Sequence, residues 1–348
     1  MVDKNFCMSS YLSFRYVVDD DKDFYPNLRH QLYHQKPTSE HTLVRTVKEV
    51  DDAIYNVMCL VRNEKLGLLL SGGMDSACLA AYMPKGSDAY TFRFEGGTFQ
   101  GDELRRAEYY ADQYHLNLHY VDISWPIVDD AVDVVMAAKG APVHSIEPQL
   151  YYAAQCAKSD GVSMLVIGDG ADYVFGGMDG LLSKDWSYSG YVDRVTYVNP
   201  AVVLKNPVSM DPIFERYRIG PNSIDYMRFY NEIVTDESYA SYLNALHAAG
   251  MAYVDPYENL KMACPLDLRR NRSGDSKYLM RELFRMKYPN CKVPEKLPMP
   301  RPVDAYFKCW SGVSRSEFLT NIDYTKLSGN QKWLLYCLER FLNNNEPQ

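Results

Sequence analysis

The 348-residue sequence lacks most of what marks a secreted, membrane-spanning or nucleic-acid-binding chain. No stretch approaches the roughly 18 consecutive apolar residues of a membrane-crossing helix, which excludes a helical span. The opening MVDKNFCMSS has no basic segment followed by an apolar one, so no secretory signal is expected. Eight cysteines are scattered singly with no CxxC pair, which fits a reduced, cytoplasmic chain better than a disulfide framework. Positive charge is in deficit: 37 Lys and Arg against 45 Asp and Glu leave a net charge of −8, and the expectation is no nucleic-acid partner and no membrane. There is no GxxxxGK[ST] loop, no internal repeat and no low-complexity tract. What is abundant is apolar: 47% of residues are hydrophobic, ample for one large core or two smaller ones.

The pattern that fills this length is an alternation of strands and helices. The stretch "KEVDDAIYNVMCLVRN" (48–63) has apolar residues at helical spacing, and Leu66–Leu70 reads as a buried strand. Strand-like "DAYTFRF" (88–94), helix-like "GDELRRAEYYADQYH" (101–115) and strand-like "LHYVDI" (118–123) follow. Helices are expected over 127–139 and 148–160, and 162–170 reads as a strand running into a glycine loop. This order predicts an α/β fold: a parallel sheet with helices on both faces and ligands beyond the carboxyl ends of its strands. Residues 1 to about 50 are polar and mixed, and 185–222 lack a clear period. From about 223 the chain reads as mostly helical.

Two glycine-rich stretches sit at predicted strand ends. In Ser71-Gly72-Gly73-Met74-Asp75-Ser76 the small residues allow close backbone approach to a phosphate, and the serines add donors. Asp75 would repel a bare phosphate, so it points to a metal ion between them. In "GDGADYVFGG" (168–177), Asp172 is placed to face Asp75 across the carboxyl edge of the sheet and to complete a Mg²⁺ site. The pairs His30/His34 and His115/His119 have helical spacing but no third ligand in a motif, so they are not read as zinc sites.

Together SGGMDS and GDGADYVFGG resemble the synthetase domain of the asparagine synthetase family, within the PP-loop ATP pyrophosphatases (adenine nucleotide alpha hydrolase-like). Weaker similarity continues in "TFRFEGGTFQGDELRRAEYYADQY", "ACPLDLRRN", "SKYLMRE", "VPEKLPMPRP" and, near the start, "YLSFRYV". The resemblance implies an N-terminal connector (1–47) and a synthetase-like domain (48–348). That domain divides into an α/β core (48–180) and a mainly helical acceptor-substrate part (181–348). It implies ATP and Mg²⁺: a substrate carboxylate, of aspartate or another small acid, attacks the α-phosphate, and ammonia or an amine then takes the acyl group. Carried over, Ser71, Gly72, Gly73 and Ser76 cradle the pyrophosphate part of ATP, and Asp75 and Asp172 hold Mg²⁺. Leu70, Phe94 and Gly168 lie near the nucleoside. Lys296 approaches the α-phosphate, Lys277 matches a second family lysine, and Asp267 matches an acid of its segment.

This sequence departs from the family pattern in three ways. Asp169 and Tyr173 stand where family members carry Glu. Asp169 keeps an acid that can act as general base for an amine, from about one methylene further back. Too few residues precede SGGMDS for the usual glutaminase domain, and Cys7 lies too far in to be an N-terminal nucleophile and reads as structural. The expected nitrogen source is therefore ammonia, an amine, or a separate glutaminase. The alternatives are a PP-loop enzyme that modifies nucleic acid and a non-catalytic nucleotide-binding subunit, and a homo-oligomer is compatible with either.

Overall fold

A computed structural model describes residues 1–31, 33–34, 38–95, 100–295, 299 and 301–346. The chain begins with α1 (Lys4–Phe14), then β1 (Thr42–Val44) and α2 (Val47–Leu60). The alternating part follows: β2 (Leu66–Leu69), α3 (Met74–Ala80), β3 (Asp88–Phe94), α4 (Gly101–Gln113), β4 (Asn117–Ile123), α5 (Trp125–Lys139), α6 (Glu147–Ser159), β5 (Met164–Val166) and α7 (Gly170–Val174). Beyond it lie an antiparallel pair, β6 (Arg218–Gly220) and β7 (Ser223–Ile224), then α8 (Thr235–Ala249), β8 (Ala252–Val254) and β9 (Leu260–Met262). The long helices α9 (Tyr278–Lys287) and α10 (Gly329–Asn345) complete the main framework.

The expected parallel sheet is present. Its order is β4-β3-β2-β5-β8, with every neighbouring pair parallel; Gly67 pairs in register with Asp88 on one side and Leu165 on the other. The chain runs from β2 outward through β3 to β4, then returns to β5 on the far side of β2. The order therefore reverses between β2 and β5, and a crevice opens beyond their carboxyl ends at such a switch point. Both glycine-rich stretches leave the sheet at this place.

Local chemistry sets the boundaries. Thr46 and Glu49 form a reciprocal capping box that starts α2, and Val50, Ala53, Ile54 and Met58 bury one stripe of it. β3 covers the residues its alternation predicts. β5 is shorter than the reading of 162–170, because Asp169 is already in helical conformation. Two apolar clusters cover the sheet, one around Leu68, Leu79 and Phe284, the other around Leu165, Val132 and Trp333. The segment 185–222, without period in sequence, feeds a third cluster of aromatics in which Phe214 and Phe229 stack at 5.3 Å.

The N-terminal segment is not the polar stretch its composition suggested. Every residue from Cys7 to Phe14 is buried, so α1 has no polar face for periodicity to reveal. Met8, Tyr11 and Leu12 share a core with α10, and the Tyr11 hydroxyl donates to the Val143 carbonyl at 2.8 Å. Burying each such side chain stabilises the fold by about 2 kcal/mol. Arg15, which ends α1, has a left-handed backbone (φ 68°), as does Lys277 at the head of α9 (φ 53°). A side chain other than glycine rarely adopts this conformation, and both residues face the cavities described next.

Candidate active site

The turn after β2 is held by its own hydroxyls. Ser71 N–H donates to Ser76 Oγ at 3.0 Å, the two hydroxyls pair at 3.0 Å, and Gly73 N–H donates to Ser71 Oγ at 3.1 Å. Gly72 is fixed by packing: a Cβ there would lie 2.4 Å from the carbonyl oxygen of Glu103 and 2.7 Å from its Cα. The helix α4 thus presses backbone against backbone, and Arg106 Nε donates to the Gly72 carbonyl at 2.8 Å.

The turn after β5 is built in the same way. A Cβ on Gly170 would come within 2.8 Å of Glu258 N, so glycine is required for this loop to pass the segment after β8. In return Asp255, 1% exposed, accepts from Gly170 N–H at 2.7 Å and Tyr257 N–H at 2.9 Å. Burial outweighs these bonds and pushes its pKa up to about 7. The Asp169 carboxylate accepts from Ser238 Oγ at 3.2 Å. Burial first, then the nearby Asp255 and Asp172, hold its pKa well above the ordinary carboxylate range.

Asp75 and Asp172 meet at Lys277, whose Nζ lies 2.5 Å from a carboxylate oxygen of each. Tyr257 and Tyr230 fix the backbones of the two acids, donating to the Asp75 carbonyl at 2.8 Å and the Asp172 carbonyl at 3.0 Å. A Cβ on Gly177 would fall 2.1 Å from Asp172 Oδ1 and 2.4 Å from Lys277 Cε, so this glycine makes room for the pair. Burial disfavours the ammonium, but the two carboxylates outweigh it and raise the Lys277 pKa above its usual value. Two hard oxygen donors converging on one cation position fit a Mg²⁺ site in donor chemistry.

Around this centre lie two adjoining cavities. The first, about 240 Å³, is lined by Leu70, Ser71, Gly73, Asp75, Ser76, Gly168, Asp169, Asp172 and Lys277, among others. The second, about 560 Å³, shares Asp169, Asp172, Tyr242 and Met299 with it. Gly72 buttresses the first cavity from behind. Phe94 is not part of the lining: it is buried in the core, with its N–H and carbonyl bound by the Gln100 side chain, and Phe92, on the same face of β3, lines the cavity instead. Lys296 lies outside the described residues. Asp267 caps the short helix Leu268–Arg272, accepting from the N–H groups of Arg269 and Arg270 at 3.1 Å each, and the arginines there pair with Asp185, Asp275 and Glu282. Sequence reasoning missed Tyr230, Ser238, Asp255 and Tyr257, which lie in no motif, and Arg106, which lies in the quoted stretch TFRFEGGTFQGDELRRAEYYADQY but was given no role.

The sequence profile of the asparagine synthase family matches residues 49–249, more than half of the 348. A search of curated proteins gives no match. Among solved structures, the U34-tRNA thiolase NcsA from Methanococcus maripaludis is 13% identical, with 85% of this chain and 80% of that one covered and a TM-score of 0.34. NMN synthetase from Francisella tularensis is 10% identical over 73% of this chain and 99% of that one, with a TM-score of 0.29. A predicted subunit of tRNA methyltransferase from Methanocaldococcus jannaschii is 15% identical over 64% and 86%, with a TM-score of 0.24. All three superpose loosely.

Proposed function

Since this chain belongs to the asparagine synthase family, an ATP-utilising family of synthetases, we propose that it is an AMP-forming amide ligase. A carboxylate oxygen of the substrate attacks the α-phosphorus of ATP, and the bond from that phosphorus to the bridging oxygen breaks. Pyrophosphate leaves. The acyl carbon of the resulting adenylate is then attacked by ammonia or an amine, the bond to AMP breaks, and an amide forms.

In this reading Ser71, Gly73 and Ser76 cradle the departing pyrophosphate, Gly72 holds their turn against α4, and Leu70, Phe92 and Gly168 border the nucleoside. Asp75 and Asp172 hold Mg²⁺, which neutralises charge on the polyphosphate when bound. Lys277 holds these two carboxylates at a fixed separation. Asp169, a stronger proton acceptor than an ordinary carboxylate, takes the proton that the attacking nitrogen releases. Lys296 is assigned to the α-phosphate by the family resemblance alone. The α/β part (48–180) would bind nucleotide, and the remainder would shape the acceptor cavity.

The observation that supports this reading is the convergence of Asp75 and Asp172, each 2.5 Å from Lys277, beyond adjacent strands at the switch point of the sheet. The test is incubation with ATP, Mg²⁺, ammonium and a panel of carboxylic acids including aspartate. AMP and pyrophosphate, dependent on the acid, are expected. ADP and phosphate would refute the reading, and ATP binding without turnover would favour a nucleotide-binding subunit.

A further inference from the structure

Transfer of a small acyl group to ammonia does not account for the chemistry of the second cavity. Arg15, Arg194 and Arg301 all line it. Arg15 Nη1 lies 2.9 Å and Arg301 Nη1 3.2 Å from the same atom, His144 Nε2. An imidazole nitrogen that faces two guanidinium donors is an acceptor, so His144 is neutral and carries its proton on Nδ1. Burial and these two charges together keep it so. His144 is 6% exposed, and neither its Nδ1 nor Arg15 Nε has a hydrogen-bond partner among the described residues.

Only one of the two guanidinium charges is offset. Arg15 Nη2 pairs with Glu237 at 2.5 Å, and its guanidinium also covers the Tyr197 ring at 3.9 Å. Arg301 has no carboxylate within ion-pair distance among the described residues. Arg194 is exposed and makes no ion pair among the described residues. The cavity thus gathers half-buried donors around the buried His144, with surplus positive charge and too few acceptors, an arrangement that an anion would complete. The same cavity also has an apolar lining, Phe14, Ile146, Leu181, Phe229, Ile233 and Val234, beside the polar Asp179 and Tyr242. The volume of about 560 Å³ lies in the range of about 300–1,000 Å³ that suits ligands much larger than aspartate. Arg15 and Arg301 lie outside the residues 49–249 that the family profile matches, within the two weaker stretches YLSFRYV and VPEKLPMPRP.

Resting on the adenylation reading above, we propose that the acid this chain activates is elongated and carries two anionic ends. Its reacting carboxylate lies at the Asp169–Asp172 end, an apolar body runs along the walls, and the distal anionic group, a carboxylate or a phosphate, is bound by Arg301 with Arg15 and His144.

The test is calorimetric titration of the full chain, with ATP and Mg²⁺ present, by suberate, 8-phosphonooctanoate, octanoate, succinate and aspartate. AMP release with ammonium is followed on the same samples. Suberate or the phosphonate is expected to bind at least tenfold tighter than octanoate, on the order of one charge-assisted hydrogen bond, and tighter than succinate or aspartate. Preference between the two long dianions identifies the distal group. Arg301→Met should erase the advantage over octanoate, and Arg301→Lys should restore part of it. Equal binding of octanoate and the dianions, no binding of either long dianion, or an advantage untouched by Arg301→Met would overturn the proposal. Selective binding without AMP release would keep the subsite and remove the adenylation reading. AMP release that is indifferent to the distal group would do the reverse.

Discussion

Replacing Lys277 with methionine removes one charge while keeping an unbranched side chain in place. The Lys277 side chain is 5% exposed, and its ammonium serves two carboxylates at 2.5 Å, each 26% exposed. Removing one partner of a buried ion pair costs about 3–5 kcal/mol. The partial access of water to both carboxylates places this case at the lower end, about 3 kcal/mol, a large share of the roughly 5–15 kcal/mol by which a domain is stable. Urea denaturation at pH 7.5 with and without Mg²⁺ measures it. If the same two carboxylates hold the metal, Mg²⁺ replaces the missing cation and narrows the gap between variant and parent; saturation at a hundred times Kd is worth about 2.7 kcal/mol. The pH dependence has a definite sign. A lysine whose folded pKa is raised contributes stability that is complete below its ordinary value of 10.5 and is lost as pH rises through the higher folded value. The gap should therefore be constant from neutral pH to about 10 and shrink only above that. A gap under about 1 kcal/mol would refute the buried pair, since that is the worth of an exposed one. A gap indifferent to Mg²⁺ would refute the shared carboxylates.

Gly177→Ala drives a methyl group into Asp172 and Lys277, and should lower turnover by at least about tenfold with the sheet intact by circular dichroism, since about 1 Å of misplacement at a reacting centre costs this much or more. Gly72→Ala forces the first turn off the α4 backbone and should weaken ATP binding by calorimetry, whereas Gly101→Ala, whose nearest contact is Arg105 Nη1 at 3.8 Å, should not. Asp255 holds a proton that the unfolded chain releases, because its folded pKa of about 7 exceeds the ordinary 3.8. Stability should therefore fall as pH rises from about 4 to about 7 and level off above, and Asp255→Asn should flatten that slope in thermal melts. The same variant removes a negative charge beside Asp169, so the acidic limb of kcat/KM should move to lower pH.

The parts of this site that were legible in the sequence are those in which neighbours in sequence are neighbours in space. The turn Ser71–Ser76 is closed by its own hydroxyls, and its residue types alone indicate an anion. Phe92 and Phe94 show the limit of alternation: both fall on one face of β3, and period two does not say which reaches the cavity and which ends in the core. Lys277 was legible only through family resemblance, because it reads as the start of an exposed helix and its burial depends on Asp75 and Asp172, each more than a hundred positions earlier. The second cavity was legible only along the GDGADYVFGG loop, which supplies Asp169, Asp172 and Gly177; α1, the residues before α6, the aromatic segment, α8 and the stretch after Met299 each add only one or a few groups. The helix α1 was invisible for the opposite reason, being buried on all sides.

The position of α1 has a consequence for how the molecule is made. A ribosome delivers Met8, Tyr11 and Leu12 long before Leu334, Leu338 and Phe341, their partners in one core. The end of the crevice proposed for nucleotide, contributed mainly by β2, β5 and the turns that follow them, is synthesised long before α10. Arg15 is carried on the helix that waits for it. A nascent chain can thus form the turns after β2 and β5 well before α10 is available to cover the core side of α1.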